Sequence, residues 1–514
     1  MKRNCKLCLL LLVMFYLCPL IFSQELLEEL GQETTIPEKI EEASSSEVTE
    51  FRIRSVKFLI KGHTKERILI EKAQVRIGTT FDSEEDLESF IANIKQRLLN
   101  ERVLQSAEVE CWIEASSENV QEVDLIISVE DSWNIIGLPY FKYDTNEGLL
   151  LSIRGRDYNF LGSMQALVLN IDYAMDAEGK QSYGGYTSFG VPFQLLRNDA
   201  GLNASQTLKI HADEMPITSI SNLSFWYRYK IDGLYFIFEA AQGLQFNPDE
   251  ILDDVDPFLL RSSLSLSTSI ATGITIPRLG DISYFPSLSF YQLWRPDAVV
   301  RSDRQGPRMV FSHGLSFGQI DWIANMRRGL SATISNTNTY NMQFNDFILD
   351  IDGTLCYSAT LGGKIGMNGR LSGFYSFTSS AREDLGSSMR GIRNSRLYGI
   401  SALFLNLEMP IKLFDFPTHI FIKKNWFDFE LQFSPFVDLG YVEGVAGNVA
   451  ATYPLWYSGG IEFFVYPLRM RTFIVRASLG FDLDAVIQNG SFTHPSPRDS
   501  ASPYELFFGL GLFL

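Results

Sequence analysis

No run of eighteen or more apolar residues occurs anywhere in this 514-residue chain, so no helix can carry it across a bilayer. Insertion into a membrane would have to use strands. Cysteine is scarce where a framework would need it: Cys5, Cys8 and Cys18 fall in the first twenty residues, leaving only Cys111 and Cys356, which excludes a disulfide scaffold. The five histidines, His63, His211, His313, His419 and His494, stand singly, without chelating spacing, and no metal site is expected. Positive charge is in deficit, with 44 Lys and Arg against 61 Asp and Glu. The net charge of -17 and the lack of a basic patch exclude a nucleic-acid partner. Catalytic signatures are missing too: there is no Gly-x-Ser-x-Gly elbow, no phosphate-binding Gly-x-x-x-x-Gly-Lys loop and no His-Glu-x-x-His pair. The expectation is therefore a non-enzyme without cofactor.

What is present is aromatic and glycine-rich. Aromatic residues make up 13 % and glycine 38 residues, while charged residues are held to 20 %. That mixture suits strands that alternate between lipid and a polar lumen. Lys2 and Arg3 precede an uncharged run from Leu9 to Phe22, the plan of a secretory signal over residues 1–23; lipid attachment at Cys18 is the alternative. Residues 24–50 hold nine Glu and one Lys and read as an acidic flexible tether, either solvated filler or a partner-binding tail. From 51 to 131 the pattern becomes a small α+β unit of order β-α-α-β-β. Arg54 to Lys61 reads as a strand, Thr64 as the cap of a short helix, and Asp82-Ser83 as the cap of a longer one with Leu87, Phe90, Ile91, Ile94 and Leu98 on one face. Ala107, Val109, Cys111 and Ile113, then Val123, Leu125, Ile127 and Val129, supply two alternating strands, with Cys111 as a small core residue.

Residues 132–514 follow without a linker and alternate throughout, so the unit should be tightly coupled to the first strand. Shared among sixteen strands, they give about 24 residues per strand and connection, which fits a transmembrane antiparallel β-barrel; fourteen or eighteen strands also fit. Asp232-Gly233, Asp352-Gly353 and Asn368-Gly369 read as hairpin turns, and Trp294 to Met309 as an exposed loop. Two late strands carry inward carboxylates. Leu403, Leu405, Leu407 and Met409 oppose Phe404, Asn406 and Glu408, and Val437, Leu439 and Tyr441 oppose Phe436, Asp438 and Gly440. Upstream lies the polar segment Ser388-Met389-Arg390-Gly391-Ile392-Arg393. The chain ends on alternating Tyr504, Leu506, Phe508, Leu510, Leu512 and Leu514, assigned to lipid, with Glu505, Gly509 and Gly511 inward.

These segments carry a resemblance. Met389-Arg390-Gly391-Ile392 resembles the tip of the long inward-folded loop in the BamA/TamA-like superfamily of outer-membrane barrel-assembly and protein-secretion transporters, with Ile392 where that family has an aromatic. Phe436-x-Asp438-x-Gly440 is similar to its partner motif, Asn159-Phe160-Leu161-Gly162 to its turn after the second strand, and Gly509-x-x-Leu512-x-Leu514 to its terminal signal. The unit from 51 to 131 resembles a single polypeptide-transport-associated (POTRA) domain. The resemblance implies a latch in which Arg390 and Gly391 sit in the lumen and Arg390 pairs with Asp438 and with Glu408. It also implies an outer-membrane protein of a diderm bacterium with a periplasmic POTRA domain, handling unfolded outer-membrane or secreted polypeptides, with periplasmic accessory proteins as further partners. Three functions fit: insertion of client barrels through a weak seam, two-partner-type secretion, and a structural or adhesive surface barrel.

Overall fold

Alternation of period two becomes a wall of strands that closes on itself in the computed structural model. The structure describes residues 50–514 apart from 118–119, 145–147, 177–178, 213–216, 232, 247–257, 277–279, 295–305, 418–427, 470–473 and 514. The expected signal segment and tether, Cys5, Cys8, Cys18, His419 and Leu514 lie outside the described residues.

Strand Glu50–Lys61 opens the α+β unit, followed by helices Glu66–Ala73 and Glu84–Asn100 and strands Leu104–Ser117 and Val120–Asp131. A two-residue strand, Thr80–Phe81, not expected from the sequence, lies between the helices and pairs with Phe51 and Arg52. The first strand runs parallel to Val120–Asp131, which is antiparallel to Leu104–Ser117. Leu87, Ile94 and Leu98 from the longer helix bury against Ile53, Leu125 and Ile127. Ser83 caps that helix by accepting the Asp86 N–H at 3.1 Å. Thr64, by contrast, does not cap the short one: its hydroxyl donates to Asp131 at 2.6 Å, and Lys65 occupies the N-cap position without a side-chain cap. Cys111 packs against this core, where burial, with a smaller contribution from Glu84, pushes its thiol up from the ordinary range.

The unit is held to the barrel by hydrogen bonds. The turn Phe160–Gly162, after the second barrel strand, accepts the Lys65 N–H at the Gly162 carbonyl at 2.9 Å, and Asn159 Nδ2 donates to Thr64 and Asp131 at 2.7 and 3.1 Å. A side chain at Gly162 would lie 2.0 Å from the His63 carbonyl oxygen, so the close approach requires glycine. Arg67 reaches Asp199 at 2.6 Å, and Arg228 reaches Glu71 at 2.6 Å.

Twenty-one consecutive ladder segments close into the antiparallel barrel. Three strands are interrupted: Phe258–Thr268 continues as Ile270–Ile276, Gly280–Tyr284 as Ser287–Trp294, and Gly399–Glu408 as Ile411–Phe416. Twenty-one segments less three leaves eighteen strands among the described residues, not the sixteen expected. The reason is short connections: strands Met326–Asn341 and Asp346–Leu361, for example, are joined by four residues, which leaves chain for two further strands. Two of the expected turns are also corrected. Asp352-Gly353 lies inside Asp346–Leu361 and Asn368-Gly369 inside Ile365–Ser376; of Asp232-Gly233, Asp232 lies outside the described residues, and Gly233 falls between the paired Ile231 and Leu234. Asp352 and Asn368 point their polar groups inward, to Arg382 and Glu408, so their polarity marks the lumen rather than a hairpin.

Candidate functional site

Backbone geometry places the loop first. The connection between Ile365–Ser376 and Gly399–Glu408 folds through two short 3₁₀ turns, Leu385–Ser388 and Asn394–Arg396, which bracket Met389–Arg393. Met389 and Ile392 are buried beside Phe404, Val442 and Trp456. Ile392, in the position of an aromatic, thus fills an apolar site. Gly391 has φ +88°, and a Cβ there would meet the Phe481 nitrogen at 2.5 Å, while one on Gly480 would meet the Gly391 nitrogen at 2.6 Å. Two glycines therefore let the loop tip lie directly on the wall. Gly440 acts similarly for Met389, whose sulfur would be 2.6 Å from a side chain at that position.

This seating drives Arg390 into a buried position, 4 % exposed. Its backbone N–H and Nε donate to Asp438 Oδ2 at 2.8 and 3.0 Å, and Nη2 donates to Oδ1 at 2.7 Å. Nη1 donates to Glu408 Oε2 at 3.0 Å and to Glu462 Oε2 at 2.8 Å. The guanidinium carbon lies 3.9 Å from the Phe436 ring centroid. The structure thus brings together Arg390, Gly391, Asp438, Glu408, Phe436 and Gly440. Sequence reasoning missed Glu462, although alternation in Leu455–Pro467 puts it on the same inward face as Trp456, Ser458 and Phe464. It also missed the surrounding cations. Arg327 donates to Glu408 Oε1 at 2.9 Å, and Arg476 lies 3.7 Å from Glu462 Oε1. One arginine thus pairs with carboxylates from three strands, an arrangement that ties the loop tip to the wall.

The loop is pinned on both sides of its tip. Arg382 pairs with Asp352 at 2.6 Å, and Arg396 pairs with Asp482 at 3.0 Å and Asp499 at 2.7 Å, with its guanidinium 4.9 Å from the Trp456 ring.

The chain terminus corrects an expectation. Strand Tyr504–Leu510 has Leu506 and Phe508 outward and Gly509 buried, but it ends at Leu510. Gly511, at φ +95°, then turns the chain inward. Leu512 packs against the buried Phe464, Tyr466 and Ile474 rather than facing lipid. Phe513 lies in the lumen, its ring 4.5 Å from the Arg390 guanidinium, and its carbonyl accepts from Arg370 at 3.1 Å.

That turn leaves the barrel seam short. The last strand pairs with Val475–Asp482 along its length, from Tyr504–Phe481 to Leu510–Val475, but meets the first strand, Ile135–Asp144, only at Phe508–Tyr143 and Phe507–Asp144. Among the described residues, Ile135 to Lys142 have no ladder partner on that edge. Pro139 lies within it, a residue confined to sheet edges and bulges because it lacks a donor.

No family model and no curated protein matches the chain. Among solved structures, it is similar to CdiB from Acinetobacter baumannii (13 % identity, 89 % of this chain and 73 % of that one, TM-score 0.49). It is also similar to BamA from Haemophilus ducreyi lacking POTRA domains 1-3 (13 % identity, 90 % and 84 %, TM-score 0.36) and to CdiB from Escherichia coli (9 % identity, 95 % and 97 %, TM-score 0.40).

Proposed function

We infer that the chain is an outer-membrane barrel that inserts other polypeptides through its own seam. The observation that carries this reading is the unpaired edge from Ile135 to Lys142. Backbone groups without partners cost several kcal/mol each in hydrocarbon, so an edge at the membrane is a place where an incoming strand gains its hydrogen bonds. Strand addition is the general mode by which extended peptides dock on such edges. The α+β unit, held to the barrel by the Asn159 turn, takes the part of a periplasmic POTRA-type receiver. Arg390 acts as a latch that ties the loop to three strands and, through Phe513, to the end of the chain.

A secretion pore is the second reading, and it requires both the loop and the chain terminus to leave the lumen. A reversible lock separates the two. Tyr143 and Phe508 are directly opposite, at a separation a disulfide can bridge. Tyr143→Cys with Phe508→Cys, oxidised in the membrane, should halt the appearance of other barrels in the outer membrane, and reductant should restore it. If the locked protein keeps those barrels at normal levels while one secreted partner is lost or maintained, insertion through the seam is wrong.

A further inference from the structure

Hydrogen-bond phase decides which backbone groups of the first barrel strand, Ile135–Asp144, face the seam. Antiparallel neighbours exchange bonds at every second residue, and the residues between turn their groups to the other side. Tyr158 N–H donates to the Asn134 carbonyl at 2.9 Å, and the register with Gly148–Asp157 runs without a shift, so the even-numbered residues bond that neighbour. The odd-numbered ones, Ile135, Gly137, Pro139, Phe141 and Tyr143, therefore aim their main-chain groups at the seam. Pro139 has a carbonyl but no N–H, and the donor it lacks is one its paired neighbour does not use. The edge's row of donors is broken there, inside the unpaired length from Ile135 to Lys142.

The last strand is in matching phase. Gly511 N–H donates to the Ile474 carbonyl at 2.9 Å, and the pairing of Tyr504–Leu510 with Val475–Asp482 is also free of shifts, so Phe508 and Leu510 aim their main-chain groups at the seam. From Phe508 opposite Tyr143, the register would continue with Leu510 opposite Phe141 and Leu512 opposite Pro139. A strand extended that far would leave the Leu512 carbonyl without a donor. The chain instead turns at Gly511, and Leu512 packs on Phe464, Tyr466 and Ile474. The protein's own strand thus leaves the wall one residue before the broken position.

We propose that Pro139 is the positioning residue that keeps strand pairing at this seam reversible: a strand docked in register from Ile135 to Phe141 is left with one carbonyl that no group of the edge can serve. This rests on the reading that the edge receives strands, and adds how it lets them go. An unserved carbonyl is costly in hydrocarbon, and here it falls within the run of pairs rather than at a fraying end. The wall itself loses nothing, because the second strand keeps its pairing with the first along the whole length. Only the strand that comes and goes is affected. Gly137 supplies a control: it also aims its groups at the seam, and a Cβ there would meet nothing within 4 Å, so a proline at 137 moves the break by two residues and leaves the neighbouring strand untouched.

The test uses the full-length protein in lipid nanodiscs and, as the incoming strand, a fluorescent peptide with the sequence of residues 501–514. Pro139→Ala restores the donor and should slow dissociation of the peptide by about fivefold or more, the effect of one added hydrogen bond. Pro139→Ala with Gly137→Pro should return the rate to that of the unmodified protein, a rescue that a merely structural role of Pro139 does not give. Equal dissociation from the unmodified protein and from Pro139→Ala, or a double variant as slow as Pro139→Ala, would overturn the proposal and leave insertion at the seam standing. A peptide that binds none of the three proteins would overturn the insertion reading, and this proposal with it.

Discussion

The two walls of this barrel are built on the same alternation and yet behave as different materials. In the late wall, from Gly399 to Leu510, the inward positions are buried: Phe404, Asn406, Glu408, Phe436, Asp438, Ser458 and Glu462 are all 6 % exposed or less. In the early wall the inward Asn203, Ser205, Asn222 and Ser224 remain partly or fully exposed. The difference is what lies against them. The loop tip and the chain terminus both pack on the late wall, so its inward face is a protein core that contains ions, while the early wall lines an open lumen. A polar residue in the first setting must be satisfied or it costs several kcal/mol; in the second, water satisfies it.

The largest expected effect comes from removing the ion that organises the late wall. Arg390→Ala leaves Asp438 without the three bonds it accepts from that residue, save the one from the backbone, and leaves Glu462 and Glu408 sharing Arg476 and Arg327. Breaking a buried pair costs about 3 to 5 kcal/mol, and the folded, heat-modifiable form should be correspondingly depleted. Asp438→Asn should cost clearly less, because Arg390 retains Glu408 and Glu462. The double change should fall well short of the sum. Strict additivity would mean that the late wall is solvated like the early one.

Gly391→Ala and Gly480→Ala test the same wall through its backbone. Each added methyl would meet main-chain atoms at 3.0 Å or less, and at Gly391 the positive φ adds strain. Overpacking of this kind costs about 1 to 3 kcal/mol. Protease nicking within 377–398, without loss of the barrel, is the signature expected if the loop alone lifts away. Phe513→Ala should be milder. It removes an aromatic face from Arg390 and from Arg370, worth about 1 to 2 kcal/mol when desolvated, and it should make the loop more accessible to protease without unfolding the strands.

Sequence pattern made one half of this site legible and hid the other. Glu408 and Asp438 are apparent because each interrupts an apolar alternation at an inward position. Glu462 obeys the same rule, but Phe463 and Phe464 beside it blur the alternation, and nothing local ties it to Arg390. The cations Arg327, Arg370 and Arg476 come from strands far apart in the chain, and only barrel closure brings them together. Alternation carried past Gly511 points Leu512 at lipid, but a left-handed glycine ends the alternation there. Asp352-Gly353 shows the converse error: in a dipeptide favoured in turns, Asp352 also satisfies an inward polar position opposite Phe374, and only the register decides.

The smallest expected effect is the one that most sharpens the contrast between the walls. Asn222 faces the lumen on the early wall, and its hydrogen bond from Nδ2 to Ser205 Oγ is long, at 3.4 Å. Asn406 occupies the equivalent kind of position on the late wall, fully buried, donating to the Ser388 carbonyl at 2.9 Å and accepting from Arg370 at 3.1 and 3.2 Å. Both are asparagines on inward faces of antiparallel strands, so propensity and chemistry cancel in the comparison. Asn406→Ala removes an acceptor from the half-buried Arg370 and the donor to the half-buried Ser388 carbonyl and should cost about 1 to 3 kcal/mol. Asn222→Ala exchanges a weak bond for water and should stay within about 0.5 kcal/mol. Urea titration of the folded barrel in detergent, followed by tryptophan fluorescence, reads both. Equal losses from the two asparagines would show that the early wall is as tightly packed as the late one, and that the lumen is closed on every side.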